Sequence, residues 1–179
     1  RYSAYTGLAY GIKNLVWFTY NTPVRQPVER FMNAIIDSMG NKTDLYTPFK
    51  NLNASLRQLG KTIGKLDAVA VYHSDENDGT AGLTIPGSFF WQPVDKDKRF
   101  IITHFKNPQT KQSFVMVVNK SLKSSESIAF RISDSVKKLN YISNGDGKQH
   151  RVSYKPGRIF TADLLPGEGK LYEIQGGSY

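Results

Sequence analysis

The chain has 179 residues, 39% of them apolar and 12% aromatic, a composition that folds around a core rather than staying disordered. It contains no cysteine, which excludes disulfides, thiolate metal centres and a cysteine nucleophile, and no apolar run long enough to span a membrane. The net charge of +9 raises the question of a nucleic-acid partner, but residues 1–88 hold 9 basic and 7 acidic groups while residues 89–179 hold 15 and 8. The excess is strung out singly, at Lys106, Lys111, Lys120, Arg131 and Lys155, as on solvated strand faces; no nucleic acid is expected.

The chain opens inside a helical pattern at Arg1, without Met or a leader, as a processed or truncated piece would. Tyr5, Leu8, Ala9 and Ile12 share one face of a helix over residues 2–12, and Ala4, Gly7 and Gly11 let it lie close to a neighbour. Residues 15–20, LVWFTY, form a continuous β-prone run that predicts a strand buried on both faces, ended by Asn21-Thr22-Pro23. Residues 24–39 predict a helix with Val28, Phe31, Met32, Ile35, Ile36 and Met39 as its stripe. A second helix, capped by Thr43 or Asp44 and running to Leu66, has Phe49, Leu52, Leu56, Leu59, Ile63 and Leu66 spaced three and four apart. Pro48 falls in its first turn, where proline is tolerated.

Residues 68–73 read as a short strand and residues 74–84 as a polar linker, so a domain boundary is placed near residue 80. Beyond it the period changes to two. Strands are expected over residues 100–105, 113–119, 127–132, 138–142, 150–154, 157–164 and 170–174, punctuated by turn clusters such as Asn144-Gly145-Asp146-Gly147. That pattern predicts an antiparallel β-sandwich.

At this point three stretches resemble something known: AYTGLAYGIKNLVWFTYNTP, LYTPFKNLNASLRQLGKTIGKL and AVAVYHS. They are similar to the end of the catalytic barrel in secreted bacterial glycoside hydrolases of the retaining (β/α)8 clan that includes microbial β-galactosidases. The tail, with FVMVVNKS and LLPGEGKLYEI, is similar to the small β-sandwich that such enzymes carry at the C-terminus. The resemblance implies an α+β chain in two parts. Residues 1–79 would be a partial (β/α)8-barrel segment, its last helices and strand eight, and residues 80–179 an antiparallel β-sandwich.

It further implies retaining hydrolysis of glycosidic bonds in oligo- or polysaccharides by two carboxylates from barrel strands four and seven. Both would lie upstream of Arg1. The acids before residue 80 (Glu29, Asp37, Asp44, Asp67, Asp75, Glu76 and Asp78) fall on helix faces, caps or the linker, so no catalytic residue is assigned and the fragment alone is expected to be inactive. No cofactor is implied. Strand eight of such barrels contributes substrate binding, through an aromatic that stacks on a sugar ring, sometimes beside a non-proline cis peptide. Tyr20 matches that position and Asn21 could bond a hydroxyl. Trp17, of opposite strand parity, is the other candidate. The plain alternative for these rings is core packing. The expected partners are a carbohydrate and either the missing barrel segment or a second copy, and the expected location is secreted or periplasmic.

The remaining motifs are weaker. His73, His104 and His150 have no metal-ligand spacing, and His73 is expected to make a structural hydrogen bond at the domain junction. Asp75 to Gly79 resembles a calcium loop but lacks the distal glutamate, so a solvated linker is preferred and no metal is expected. Three triplets, at Asn41, Asn53 and Asn119, fit the glycosylation acceptor pattern. Phe89, Phe90 and Trp91 either glue the sandwich to the barrel end or, in the alternative of a carbohydrate-binding module without catalysis, offer Trp91 as an exposed platform.

Overall fold

Two runs in the second half, FIITHF and FVMVVN, are apolar almost without interruption, and the computed structural model shows why. They are the central strands of a sheet covered on both faces. The structure describes residues 1–24, 32–74, 83–155 and 157–176. In chain order the elements are α1 (Tyr2–Ala9), α2 (Tyr46–Ile63), β1 (Asp67–His73), β2 (Leu83–Thr84), β3 (Trp91–Pro93), β4 (Phe100–Lys106), β5 (Ser113–Asn119), β6 (Glu126–Ile132), β7 (Lys138–Ile142), β8 (Gln149–Arg151), β9 (Ile159–Leu164) and β10 (Gly169–Gln175). A seven-stranded sheet runs β2-β1-β4-β5-β10-β7-β8, and a three-stranded sheet runs β3-β6-β9. Every pairing is antiparallel except β1 with β2.

The two sheets pack face to face as a sandwich. Phe100, Ile102, Val115, Val117 and Tyr172 of the larger sheet meet Trp91, Ile128, Phe130, Phe160 and Leu164 of the smaller one. The smaller sheet leaves its outer face to solvent, and β6 and β9 accordingly alternate buried with open positions. The other face of the larger sheet is covered by the helices. Tyr5, Leu8 and Ala9 of α1, with Leu59, Ile63 and Leu66, pack on Ile101, Phe105, Met116, Val118 and Leu171. Each such aliphatic side chain removed from water stabilises the fold by ~1.5–3 kcal/mol.

Most of the expected strands are present. The expectation over residues 150–154 shortens to β8, and the linker's last two residues are β2, paired with Tyr72 and His73. β1 pairs with β4 from Asp67 to His73, so residue 80, where the sequence places a division, falls between two strands of one sheet.

The N-terminal part differs more. Residues 15–20 are not a strand. A strand buried on both faces needs a hydrogen-bonding neighbour along each edge, and among the described residues this segment meets one parallel bridge, Asn21 with Ile36. Val16 and Phe18 point into solvent instead, Phe18 being 93% exposed. The described residues do not show a partial barrel segment.

The helix expected over residues 24–39 is absent from its described part. Residues 32–39 form bends, a turn and the Ile36 bridge, and residues 25–31 lie outside the described residues. Asp37 holds that turn by accepting from the backbone nitrogens of Met39 and Asn41 at 2.9 and 2.8 Å, which competes with helix formation. The second helix starts at Tyr46 rather than after Thr43 or Asp44. Leu45 occupies its N-cap without a side-chain bond, and Pro48 sits in the first turn. Among the described residues no helix is long and apolar enough to cross a membrane.

Candidate functional site

The residues the sequence singles out meet along one edge of the helical layer. After α1 the chain turns at Gly11, whose φ of +84° belongs to the left-handed region that glycine enters freely. Lys13 then reaches the far end of α2 and donates to the carbonyl oxygens of Ile63, at 3.1 Å, and Leu66. A lysine ammonium at a helix C-terminus satisfies orphan carbonyls and complements the helix dipole. This anchor lays residues 15–20 along the N-terminal half of α2.

That half has no sheet beneath it. Leu59, Ile63 and Leu66 of the apolar stripe are fully buried, whereas Phe49, Leu52 and Leu56 remain half-buried. Trp17 covers part of the difference, its ring meeting Phe49 edge-on at 4.9 Å. Beyond it, the carbonyl of Tyr20 accepts from Ile36 N at 3.0 Å and Thr22 N donates to the carbonyl of Ile36 at 2.8 Å. Thr43 then bonds Ala34 and Ile35, closing a small extended layer of three short segments.

Two clefts flank Trp17. One, of about 600 Å3, lies between Phe18, Pro23, Met32, Leu45, Pro48 and Leu52, with Arg1 at its rim. The other, of about 750 Å3, is lined by Trp17 and Tyr20 of the segment after α1 and by Tyr46, Phe49, Lys50, Asn53 and Arg57 of α2. Trp17, 38% exposed, lines both, and Tyr20, 55% exposed, lines the second. Strand parity, which would keep these two rings on opposite sides, does not operate because the segment is irregular. Asn21 is exposed and lies just outside both clefts, its carbonyl accepting from Thr19 Oγ1 at 3.1 Å. The Phe18–Thr19 peptide is cis. Sequence reasoning missed the second wall. Its signal is the composition of α2, an 18-residue helix with Lys50, Arg57 and Lys61 and no acidic residue.

Among the described residues neither cleft is lined by a carboxylate, and no group of three or more His, Asp or Glu side chains is placed to hold a metal. The histidines serve the fold. His73 joins Tyr10 Oη, at 2.8 Å from its Nε2, to Lys120 Nζ, at 3.3 Å from Nδ1, and so links the end of α1, the end of β1 and the turn after β5. His104 is buried between Phe89 and Phe90, with Ser113 Oγ 3.2 Å away.

Trp91 is no platform. It is 0% exposed and packs against Phe130, Phe160 and Tyr172 inside the sandwich, because its side chain points from β3, an edge strand of the smaller sheet, toward the larger sheet. Of the neighbouring rings, Phe89 meets Tyr72 of β1 edge-on at 5.0 Å. Asn119 is likewise buried, its carboxamide donating to the carbonyls of Ser124 and Leu165, and cannot accept a glycan.

No protein-family model matches the chain, and no curated protein does. Among solved structures it is similar to a rhamnosidase from Novosphingobium sp. PP1Y, with a TM-score of 0.38 and 16% identity. That match covers 49% of this chain and 8% of the rhamnosidase, so the chain spans a small fraction of that enzyme's length. A likeness of this size establishes neither a common fold nor an activity.

Proposed function

We propose that the chain is the C-terminal part of a glycoside hydrolase and that its edge at Trp17, Tyr20 and Asn21 contributes sugar contacts. In this reading residues 1–79 are the barrel end, hydrogen-bonded through β1 to the sandwich of residues 80–179. The observation that carries the proposal is the second cleft. Two aromatic rings from one short segment, Trp17 and Tyr20, line an open groove beside the carboxamide of Asn53, and Asn21 follows Tyr20 just outside it. Flat apolar faces beside hydrogen-bonding amides suit a pyranose, which has an apolar C–H face and a polar rim. The sequence resemblance to barrel ends supports the same assignment.

Hydrolysis with retention needs two carboxyl groups roughly 5 Å apart on either side of the glycosidic bond. The described residues supply none to either cleft; in this reading the acid/base and the nucleophile come from barrel strands four and seven upstream of Arg1, as the sequence resemblance implies. Val16, Phe18, Val24 and Met32 lie on the surface through which that segment, or a second copy, would be met. The location that accompanies this reading is secreted or periplasmic.

The test is a titration of the chain with a panel of oligosaccharides by calorimetry, together with an assay for released reducing ends. The expected result is weak saturable binding without hydrolysis, with affinity lost in Tyr20→Ala and Trp17→Ala. Hydrolysis by the chain alone, or indifference to the whole panel, overturns the proposal.

A further inference from the structure

We propose that the cleft between Trp17 and α2 takes an anionic carbohydrate, one whose sugars carry carboxylate or sulfate groups. The inference rests on the reading of this edge as a sugar site and adds the chemistry of its occupant.

The aromatic wall of the cleft is indifferent to charge; the opposite wall is not. Lys50 and Arg57 stand on the polar flank of α2, seven residues apart and therefore on one face, separated by ~10.5 Å of helix rise. Neither is within ion-pair range of a carboxylate among the described residues. Exposed helices ordinarily pair such cations with acids three or four residues away. Here α2 contains no acid at all, so no internal partner is possible.

The imbalance extends to the surrounding chain. Residues 1–66 carry nine basic and three acidic side chains, whereas residues 67–88 carry four acids and no base. A site for neutral sugars typically holds hydroxyls with carboxylates as well as amides. This one offers two cations, an amide and aromatic rings, and a guanidinium fork matches a carboxylate or sulfate in a way it does not match a hydroxyl. Charge complementarity thus selects among glycans.

The experiment compares galacturonate oligosaccharides with their fully methyl-esterified forms, which keep the sugar and remove its charge. A sulfated galactan oligosaccharide and a single-stranded oligothymidylate complete the panel. The inference predicts binding of the acidic or the sulfated oligosaccharide that weakens by about tenfold on esterification and again in the Lys50→Gln/Arg57→Gln double variant, with a strong salt dependence. The two anionic arms separate carboxylate from sulfate. Trp17→Ala must also weaken binding, as a purely electrostatic attraction would not require the ring.

Equal affinity for the acidic and esterified forms overturns the charge inference while leaving the sugar site in place. Binding of no oligosaccharide overturns both readings. Oligothymidylate binding that exceeds every glycan and ignores Trp17→Ala assigns the cations to nucleic acid and overturns the proposal. The double variant changes two exposed side chains, so its circular dichroism should match the parent.

Discussion

The phenol oxygen of Tyr5 lies 3.2 Å from Nδ2 of Asn144, and that contact ties the first helix to the turn between β7 and β8, 139 residues further along the chain. The same nitrogen faces the carbonyl of Gly169 at 3.1 Å and Glu168 Oε1 at 3.3 Å, while the backbone nitrogen of Asn144 donates to Tyr141 Oη. Burial pushes the Tyr5 phenol well above the ordinary tyrosine range. Asn144→Ala strands these buried acceptors, and the expected loss is about 2–3 kcal/mol, read as a lower midpoint in urea with an unchanged slope. A loss confined to a few tenths of a kcal/mol would show that the helix is held by apolar packing alone.

The same junction makes Gly169 irreplaceable. A Cβ there would lie 2.6 Å from Met116 Cε and 2.7 Å from Cδ1 of Tyr5, so α1 sits on β10 at a distance that only glycine permits. Gly169→Ala should therefore destabilise by ~1–3 kcal/mol through overpacking. Met116→Ala, which vacates part of the space, should couple to it, the double variant losing less than the two single losses added together in the same denaturation assay.

His104 gives the fold a pH dependence. Burial, and secondarily the charge of Lys106, lowers its imidazole to about 4 from the ordinary 6.5. Below 6.5 the unfolded chain takes up a proton that the folded chain refuses until about 4, so stability falls as pH drops through that window and then levels off. At ~1.4 kcal/mol per pKa unit, discounted for partial hydration, the loss is on the order of 2 kcal/mol. Urea midpoints at pH 7 and pH 4.5 check it, and His104→Gln should flatten the difference.

The two tryptophans should behave as opposites. Trp91→Ala empties a site walled by Phe130, Phe160 and Tyr172 and should cost about 3–5 kcal/mol. Trp17→Ala, at the open cleft, removes one edge contact with Phe49 and should cost roughly 1 kcal/mol or less. Thermal melts of the pair decide it; comparable losses would mean that Trp17 belongs to the core.

Much of the sandwich can be read from alternation and turns. The expected strand over residues 113–119 is β5 residue for residue, since Asn107-Pro108 before it and the Ser-rich turn after it leave no other frame. A continuous apolar run is a more ambiguous signal. FIITHF and FVMVVN became central strands because helices cover one face and the second sheet the other, while LVWFTY, equally apolar, found no strand to pair with. Period alone reports that a segment wants burial and not whether its partner is at hand. The helical stripe of α2 carried the same ambiguity, with Leu59, Ile63 and Leu66 fully buried against the sheet, Leu52 and Leu56 at the margin of that cluster, and Phe49 left at the clefts. The aromatic lining of the cleft, Trp17 and Tyr20, could be singled out in the sequence. Its cationic side could not, because Lys50 and Arg57 become a wall only once residues 15–20 are laid along α2.

The most direct measurement is the intrinsic fluorescence of the chain's two tryptophans during titration with oligosaccharides. The account predicts a saturable change that persists in Trp91→Phe and disappears in Trp17→Phe, since Trp17 lines the cleft and Trp91 is sealed in the core. A sugar-dependent signal carried by Trp91, or no response from Trp17 to any glycan, would contradict it.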